Sequence, residues 1–241
     1  MMDYKLFETP EAVVISLADT MLKMSLEGRP VHISLSGGST PKLLFKTLAQ
    51  TPYAESIQWH NLHFWWGDER CVEPTDPESN YGEANTLLFS HVELPEENIH
   101  RIRGEDSPEK EVIRFANEMD AVIPHKNTLP VFDWILLGMG GDGHTASLFP
   151  YKTDFKDENL TVIASHPESG QLRISKTARL LANAERITYL VLGESKAAVL
   201  KEIHDMPEEA LPYPAAKVKS TRGKTEWYLD AAAAKLFARG E

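Results

Sequence analysis

Three times along this chain an apolar, strand-like run stops at a glycine and a helix-like stretch begins. Val31-His32-Ile33-Ser34-Leu35 runs into Ser36-Gly37-Gly38-Ser39-Thr40, and Pro41 opens a helix through Leu48. Val131 to Leu137 is a continuous apolar run suited to a buried parallel strand. It ends in Gly138-Met139-Gly140-Gly141-Asp142-Gly143-His144, with a short helix expected after it. Arg186 to Leu192 is followed by Gly193 and a helix from Glu194 to about Ile203. Repetition of this unit is the grammar of a parallel sheet with helices on both faces, because a parallel neighbour is reached only through a crossover. The expected fold class is α/β. In such sheets ligands bind beyond the carboxyl ends of the strands, so a site is to be sought in three or four loops.

The remaining pattern fits. Glu11 to Leu26 reads as an amphipathic helix with Thr9 as N-cap and Pro10 at the first helical position. Leu62 to Trp66 reads as a strand ending in Gly67-Asp68-Glu69-Arg70, and a helix runs from about Ser79 to Phe89. Ser107-Pro108 caps a helix to about Val122; Thr225 to Leu229 and Ala231 to Arg239 close the chain as strand and helix. With no repeat, low-complexity tract or long linker, and 42% hydrophobic residues among 241, residues 1–241 are expected to form a single domain.

Charge narrows the partners. The chain has 25 Lys+Arg against 36 Asp+Glu, a net −11, which argues against nucleic acid because phosphate-backbone affinity comes from massed cations. An anionic metabolite would have to be held by local basic residues or helix N-termini. No segment approaches the ~18 consecutive apolar residues of a membrane span, and the start lacks a signal peptide's basic-then-apolar order. A cytoplasmic protein without membrane contact is expected. A single cysteine, Cys71, excludes an internal disulfide framework and a cluster of cysteine metal ligands. His60 and His63 enter a strand without an H-E-x-x-H pattern, so no metal is expected.

The loops carry the chemistry. Ser36-Gly37-Gly38-Ser39-Thr40-Pro41 lets backbone approach a ligand, and free N–H groups at the helix start suit a phosphate. It lacks Walker spacing and the Walker lysine, so a nucleoside triphosphate is not indicated; the alternative is a tight strand–helix turn. Gly138, Gly140 and Gly143 match G-x-G-x-x-G superficially. The run lies too far along the chain, and no acidic residue closes a second strand, so NAD and FAD are rejected. Asp142 and His144 sit in a glycine loop at the strand ends, where a lone histidine is either structural or a site residue. A histidine at a helix start has its imidazolium form disfavoured by the dipole, leaving a neutral base. Trp66-Gly67-Asp68-Glu69-Arg70 is either a surface ion-pair cluster or a site in which Arg70 meets an anion and Asp68 meets sugar hydroxyls. Arg173 and Lys196 are further cations at segment ends near the same sheet edge, with solvated surface charge as the default reading of each. The tryptophans at 65, 66 and 134 read as core, Cys71 as a passive thiol, and no G-x-S-x-G elbow supports a serine hydrolase.

Taken together these motifs resemble the 6-phosphogluconolactonase family: Ser36 to Pro41, Trp66 to Arg70, Ser79-Asn80, and the long run from Gly138 to Pro150. Arg173-Ile174-Ser175, Gly193 with Lys196-Ala197, Leu211-Pro212 and Trp227 follow in the family's order. The resemblance implies hydrolysis of 6-phospho-D-glucono-1,5-lactone to 6-phosphogluconate in the oxidative pentose phosphate pathway, without a cofactor or an obligate protein partner. It implies a Rossmann-like fold shared with glucosamine-6-phosphate deaminases and ribose-5-phosphate isomerases. Carried over, Gly37, Gly38, Ser39 and Thr40 would hold the phosphate with Arg173 and Lys196. His144 would be the general base, Arg70 and Asp68 would orient or polarise the lactone, and Asp142 would contact substrate or shape its loop. The stretch Lys176-Thr177-Ala178-Arg179 departs from the family's apolar, often proline-containing pattern, so Lys176 or Arg179 could share Arg173's role. Two rivals are a deaminase or isomerase on the same fold and a non-enzymatic sugar-phosphate sensor. The deaminases continue toward Phe-Asn-Glu-Pro, where this chain has Ser147-Leu148-Phe149-Pro150, and they carry tyrosine where it has Arg70.

Overall fold

The computed structural model describes residues 2–238. The chain opens with β1 (Tyr4–Phe7), α1 (Pro10–Ser25), β2 (Val31–Leu35), α2 (Ser39–Leu48), α3 (Tyr53–Ser56), β3 (Leu62–Trp66) and β4 (Asp68–Arg70). Next come α4 (Asn80–Leu87), α5 (Pro108–Val122), β5 (His125–Lys126), β6 (Leu129–Pro130) and β7 (Trp134–Leu137). The last part holds β8 (Thr161–Ser165), β9 (Leu172–Lys176), α6 (Ala178–Ala182), β10 (Arg186–Val191), α7 (Ala197–Asp205), α8 (Pro214–Lys217), β11 (Lys224–Asp230) and α9 (Ala231–Ala234).

Among the described residues the main sheet is parallel, in the order β1-β11-β10-β7-β2-β3, and helices flank it. From β2 the chain steps outward to β3, then returns to the other side of β2 for β7. Strand order therefore reverses between β2 and β7. The loops beyond their carboxyl ends diverge there and leave a crevice. Every residue of β2 and of β7 is buried, so both faces of the sheet are covered where the loops emerge. Trp65, Trp66 and Trp134 lie in this core, each no more than 1% exposed.

Local rules account for most helix starts. Thr9 Oγ1 accepts from Ala12 N–H at 3.1 Å, Pro10 occupies the first helical position, and Val13, Leu17, Ala18 and Met21 bury one face of α1. Ser79 caps α4 by accepting from Gly82 N–H at 3.0 Å. Helix α2 begins at Ser39, two residues before the expected Pro41, with Gly38 at the cap in left-handed backbone (φ 116°). The strand expected from Val131 narrows to Trp134–Leu137. The closing helix ends at Ala234, and Arg239 lies outside the described residues.

Two expectations are overturned in ways that matter for function. No helix follows His144. Gly143 (φ 81°) and Ala146 (φ 48°) are left-handed, and Thr145 and Leu148 exchange backbone hydrogen bonds at 3.3 and 2.9 Å, which closes a tight loop instead. The segment after Gly67 is also more than a loop. β4 pairs antiparallel with β9, and β9 with β8, in a second sheet that the sequence pattern did not reveal. Gly67 is where the chain changes sheets: its N–H donates to Leu35 of β2 at 3.0 Å and its carbonyl accepts from Lys176 N–H at 2.8 Å.

Candidate active site

The crevice between β2 and β7 holds a cleft of about 270 Å³. Its floor is the loop after β2 with the start of α2, so Gly37, Gly38, Ser39 and Thr40 all line it. Asp68 and Arg70 enter from β4, Arg173 from β9, His144 from the loop after β7, and Lys196 from the turn preceding α7. Asp142, by contrast, does not line the cleft. Its role is visible in its bonds.

Asp142 Oδ1 accepts from His144 Nδ1 at 2.6 Å and from His144 backbone N–H at 3.0 Å. Burial pushes the Asp142 carboxyl up, but the His144 backbone and ring contacts outweigh it and hold its pKa below the ordinary carboxylate value. The ionised Asp142 selects the tautomer with hydrogen on Nδ1 and leaves Nε2 free to accept a proton. A carboxylate thus orients the ring, and the helix dipole expected to disfavour its imidazolium form is absent because no helix starts at His144. Gly140 makes room for the arrangement, since a Cβ there would lie 2.1 Å from the His144 ring.

Three cations and a helix N-terminus converge on the cleft. Arg70 and Arg173 are directly paired across β4 and β9. Arg70 Nη1 donates to the Glu78 carbonyl at 2.7 Å, while its Nε is buried without a partner. Burial pushes the Arg173 guanidinium pKa down, Asp68 pulls it back up, and Arg70 pushes it down again. Lys196 and the free N–H groups at the start of α2 add positive potential. A chain of net charge −11 therefore gathers positive charge around one cleft. Asp68 is the acidic exception. It is 8% exposed, and Ser147 Oγ donates to its Oδ2 at 2.6 Å.

Lys176 and Arg179 do not share Arg173's place. Lys176 is fully buried behind β2 and β3, donating from Nζ to Ser34 Oγ at 2.9 Å and to the Trp66 carbonyl. Burial drives its pKa well down, against the pull of Asp68. Arg179 donates to the Glu158 carbonyl at 2.8 Å, away from the cleft. Reading the 66–70 segment as a surface ion-pair cluster also fails at Glu69. That residue is 3% exposed and accepts from Arg70, Asn80 and Tyr81 N–H and from Ser79 Oγ, at 2.8–3.1 Å. It fastens α4 to β4.

Sequence reasoning gave no role to Asn80. It lines the cleft, donates from Nδ2 to the Asp68 carbonyl at 3.1 Å, and sits against Gly37, where a Cβ would lie 2.2 Å from its Oδ1. Its signal was its place in the Ser79-Asn80 motif. Among the described residues no group of three or more His, Cys, Asp or Glu side chains is placed to hold a metal ion, and no helix is long and apolar enough to cross a membrane.

Comparison with known proteins places the chain in a family. The family model for glucosamine-6-phosphate isomerases/6-phosphogluconolactonase matches residues 8–227. A 6-phosphogluconolactonase of Haemophilus influenzae is 64% identical over 236 residues, covering 98% of this chain and all of that protein. The crystal structure of a devB protein, 66% identical, superposes with a TM-score of 0.97 over 99% of this chain and all of that one. A monomeric glucosamine-6-phosphate deaminase, 22% identical, shares the fold with a TM-score of 0.82 over 98% of this chain and all of its own. The chain belongs to the glucosamine-6-phosphate isomerase/6-phosphogluconolactonase family.

Proposed function

We propose that this protein is a hydrolase that converts 6-phospho-D-glucono-1,5-lactone to 6-phospho-D-gluconate. The observation that carries the reading is the carboxylate-oriented histidine of Asp142 and His144 opening on the same small cleft as Arg70, Arg173, Lys196 and the start of α2. The name of the 64% identical relative supports the substrate.

The chemistry needs few parts. A lactone carbonyl is already electrophilic, so an activated water, a donor for the oxyanion and a grip on the phosphate suffice. His144 Nε2 takes a proton from water as its oxygen bonds to the lactone carbon. Arg70 stabilises the charge that develops on the carbonyl oxygen. The tetrahedral intermediate collapses with cleavage of the ring C–O bond, and the proton passes to the departing ring oxygen. Gly37, Gly38, Ser39 and Thr40 cradle the phosphate with Arg173 and Lys196, and Asp68 orients a sugar hydroxyl. Binding energy at the phosphate then positions a carbon several bonds away.

The direct test is the decay of freshly made 6-phosphogluconolactone at neutral pH with and without the protein, the spontaneous rate subtracted. Acceleration that saturates with substrate, and far weaker acceleration of unphosphorylated gluconolactone, is expected. A rate equal to the spontaneous one would overturn the reading.

A further inference from the structure

The motif that ends in Ser147-Leu148-Phe149-Pro150 contains a residue the mechanism above does not use. Phe149 is 2% exposed, and its ring meets two members of the site at once. Its centroid lies 4.9 Å from that of the His144 ring, the planes inclined at 43°. The Arg173 guanidinium carbon lies 5.9 Å from the same centroid, inside the range of a cation–π contact. On another side the His166 ring meets Phe149 edge-on at 5.4 Å.

The surroundings explain why that ring matters. Phe149 lines a second pocket of about 610 Å³, shared with Val162, Ile163, Ala164 and His166, while His144 and Arg173 line the cleft. The ring is thus a partition between a roomy pocket and two working side chains. Asp142 fixes one nitrogen of His144, but a single hydrogen bond leaves the imidazole free to rock about that contact. Arg173 is held by one bond from its Nε to Gln171 Oε1 at 3.2 Å. Each side chain therefore has one polar tether, and the Phe149 ring supplies the second contact for both.

We infer that Phe149 is a positioning residue that sets the His144 imidazole and the Arg173 guanidinium relative to each other, tying the proton-transfer end of the site to the anion-binding end. This rests on the roles proposed above for His144 and Arg173. Because the ring touches both, its loss acts on two separable quantities. Freedom of His144 lowers kcat on any lactone. Freedom of Arg173 lowers the preference for a phosphorylated over an unphosphorylated one.

The experiment measures both lactones with Phe149→Leu, Phe149→Met and Phe149→Tyr, beside wild type and His144→Ala, with an unfolding midpoint for each. For Phe149→Leu, kcat is expected to fall roughly tenfold and the kcat/KM preference for the phosphorylated lactone roughly threefold. Phe149→Tyr keeps the ring and is expected within about twofold of wild type on both measures. Phe149→Met fills similar space without a ring and gives the same reading should the leucine variant not fold. A folded Leu or Met variant with both quantities unchanged, or with kcat lowered and the preference intact, overturns the inference. Equal losses in the tyrosine variant overturn it too, because they would assign Phe149 to packing alone. Full activity of His144→Ala would instead overturn the underlying assignment of the base.

Discussion

Arg70 and Arg173 stand directly opposite each other, as a register pair of β4 and β9. Like charges placed so across antiparallel strands repel, and the arrangement persists in a folded chain only where something offsets it. Asp68, two residues along the same strand, and Glu78 offset part of it. A bound anion would offset the rest.

The first prediction follows from that pair. Inorganic phosphate should raise the thermal midpoint of the wild type by mass action. It should raise that of Arg173→Ala much less. In kinetics, Arg173→Ala and Lys196→Ala should each raise KM for the phosphorylated lactone roughly ten- to a hundredfold, the worth of one charge-assisted contact, with a smaller effect on kcat. An unchanged KM in both variants would remove the phosphate from this end of the cleft.

His144 and Asp142 should behave as a unit. His144→Ala should cut kcat by about 10² to 10⁴, the usual contribution of a general base, with KM largely kept. Asp142→Asn should lose a large part of the same factor, because an amide can favour the wrong tautomer. Since the Asp142 pKa is held below the ordinary carboxylate value, its ionised form persists as pH falls into the usual carboxylate range. Its contribution to stability is present above the unfolded value and is lost only as pH drops through the depressed folded one. Near-additive losses in the double variant would show that the two residues act separately.

Glu69 is a structural prediction. Glu69→Ala strips an acceptor from four donors at the junction of β4 and α4 and should destabilise the protein by about 3–5 kcal/mol. Glu69→Gln keeps one oxygen and should cost less. Urea unfolding of the three proteins checks the order; a neutral alanine variant would mean that water replaces the carboxylate at no cost.

Acid sensitivity should trace to His32. Burial pushes its imidazole down to about 4 from an ordinary 6.5, aided by His63 and opposed by Asp133. Its Nδ1 accepts from Trp65 Nε1–H at 3.1 Å, a bond that protonation there would break. The unfolded chain takes up the proton first, so stability should fall as pH drops from about 6.5 towards 4, by roughly 3 kcal/mol. His32→Gln, which can still accept from Trp65, should remove most of that loss between pH 7.5 and 4.5. An identical loss in the variant would place the acid-sensitive group elsewhere.

The sequence by itself determined the strand–glycine–helix units that begin at Val31 and Arg186 and the loops that bear Gly37 to Thr40 and His144. Both are local signals: a strand covered on two faces must be apolar along its length, and the chain must turn at once where it ends. Thr9, Pro10 and Ser79 marked helix starts for the same reason, since a cap answers only to its own first turn. Tertiary structure alone decided the rest. The strands 68–70 and 172–176 are short and partly polar, and each acquires its partner from about a hundred residues away, so no periodicity announces them. That pairing sets Arg70 against Arg173 and turns Lys176 inward while Arg173 lines the cleft. The loop after His144 looked helical because a helix had followed each earlier glycine turn. Left-handed Gly143 and Ala146 and the mutual bonds of Thr145 and Leu148 rule it out, and the ring is oriented by a carboxylate two residues away.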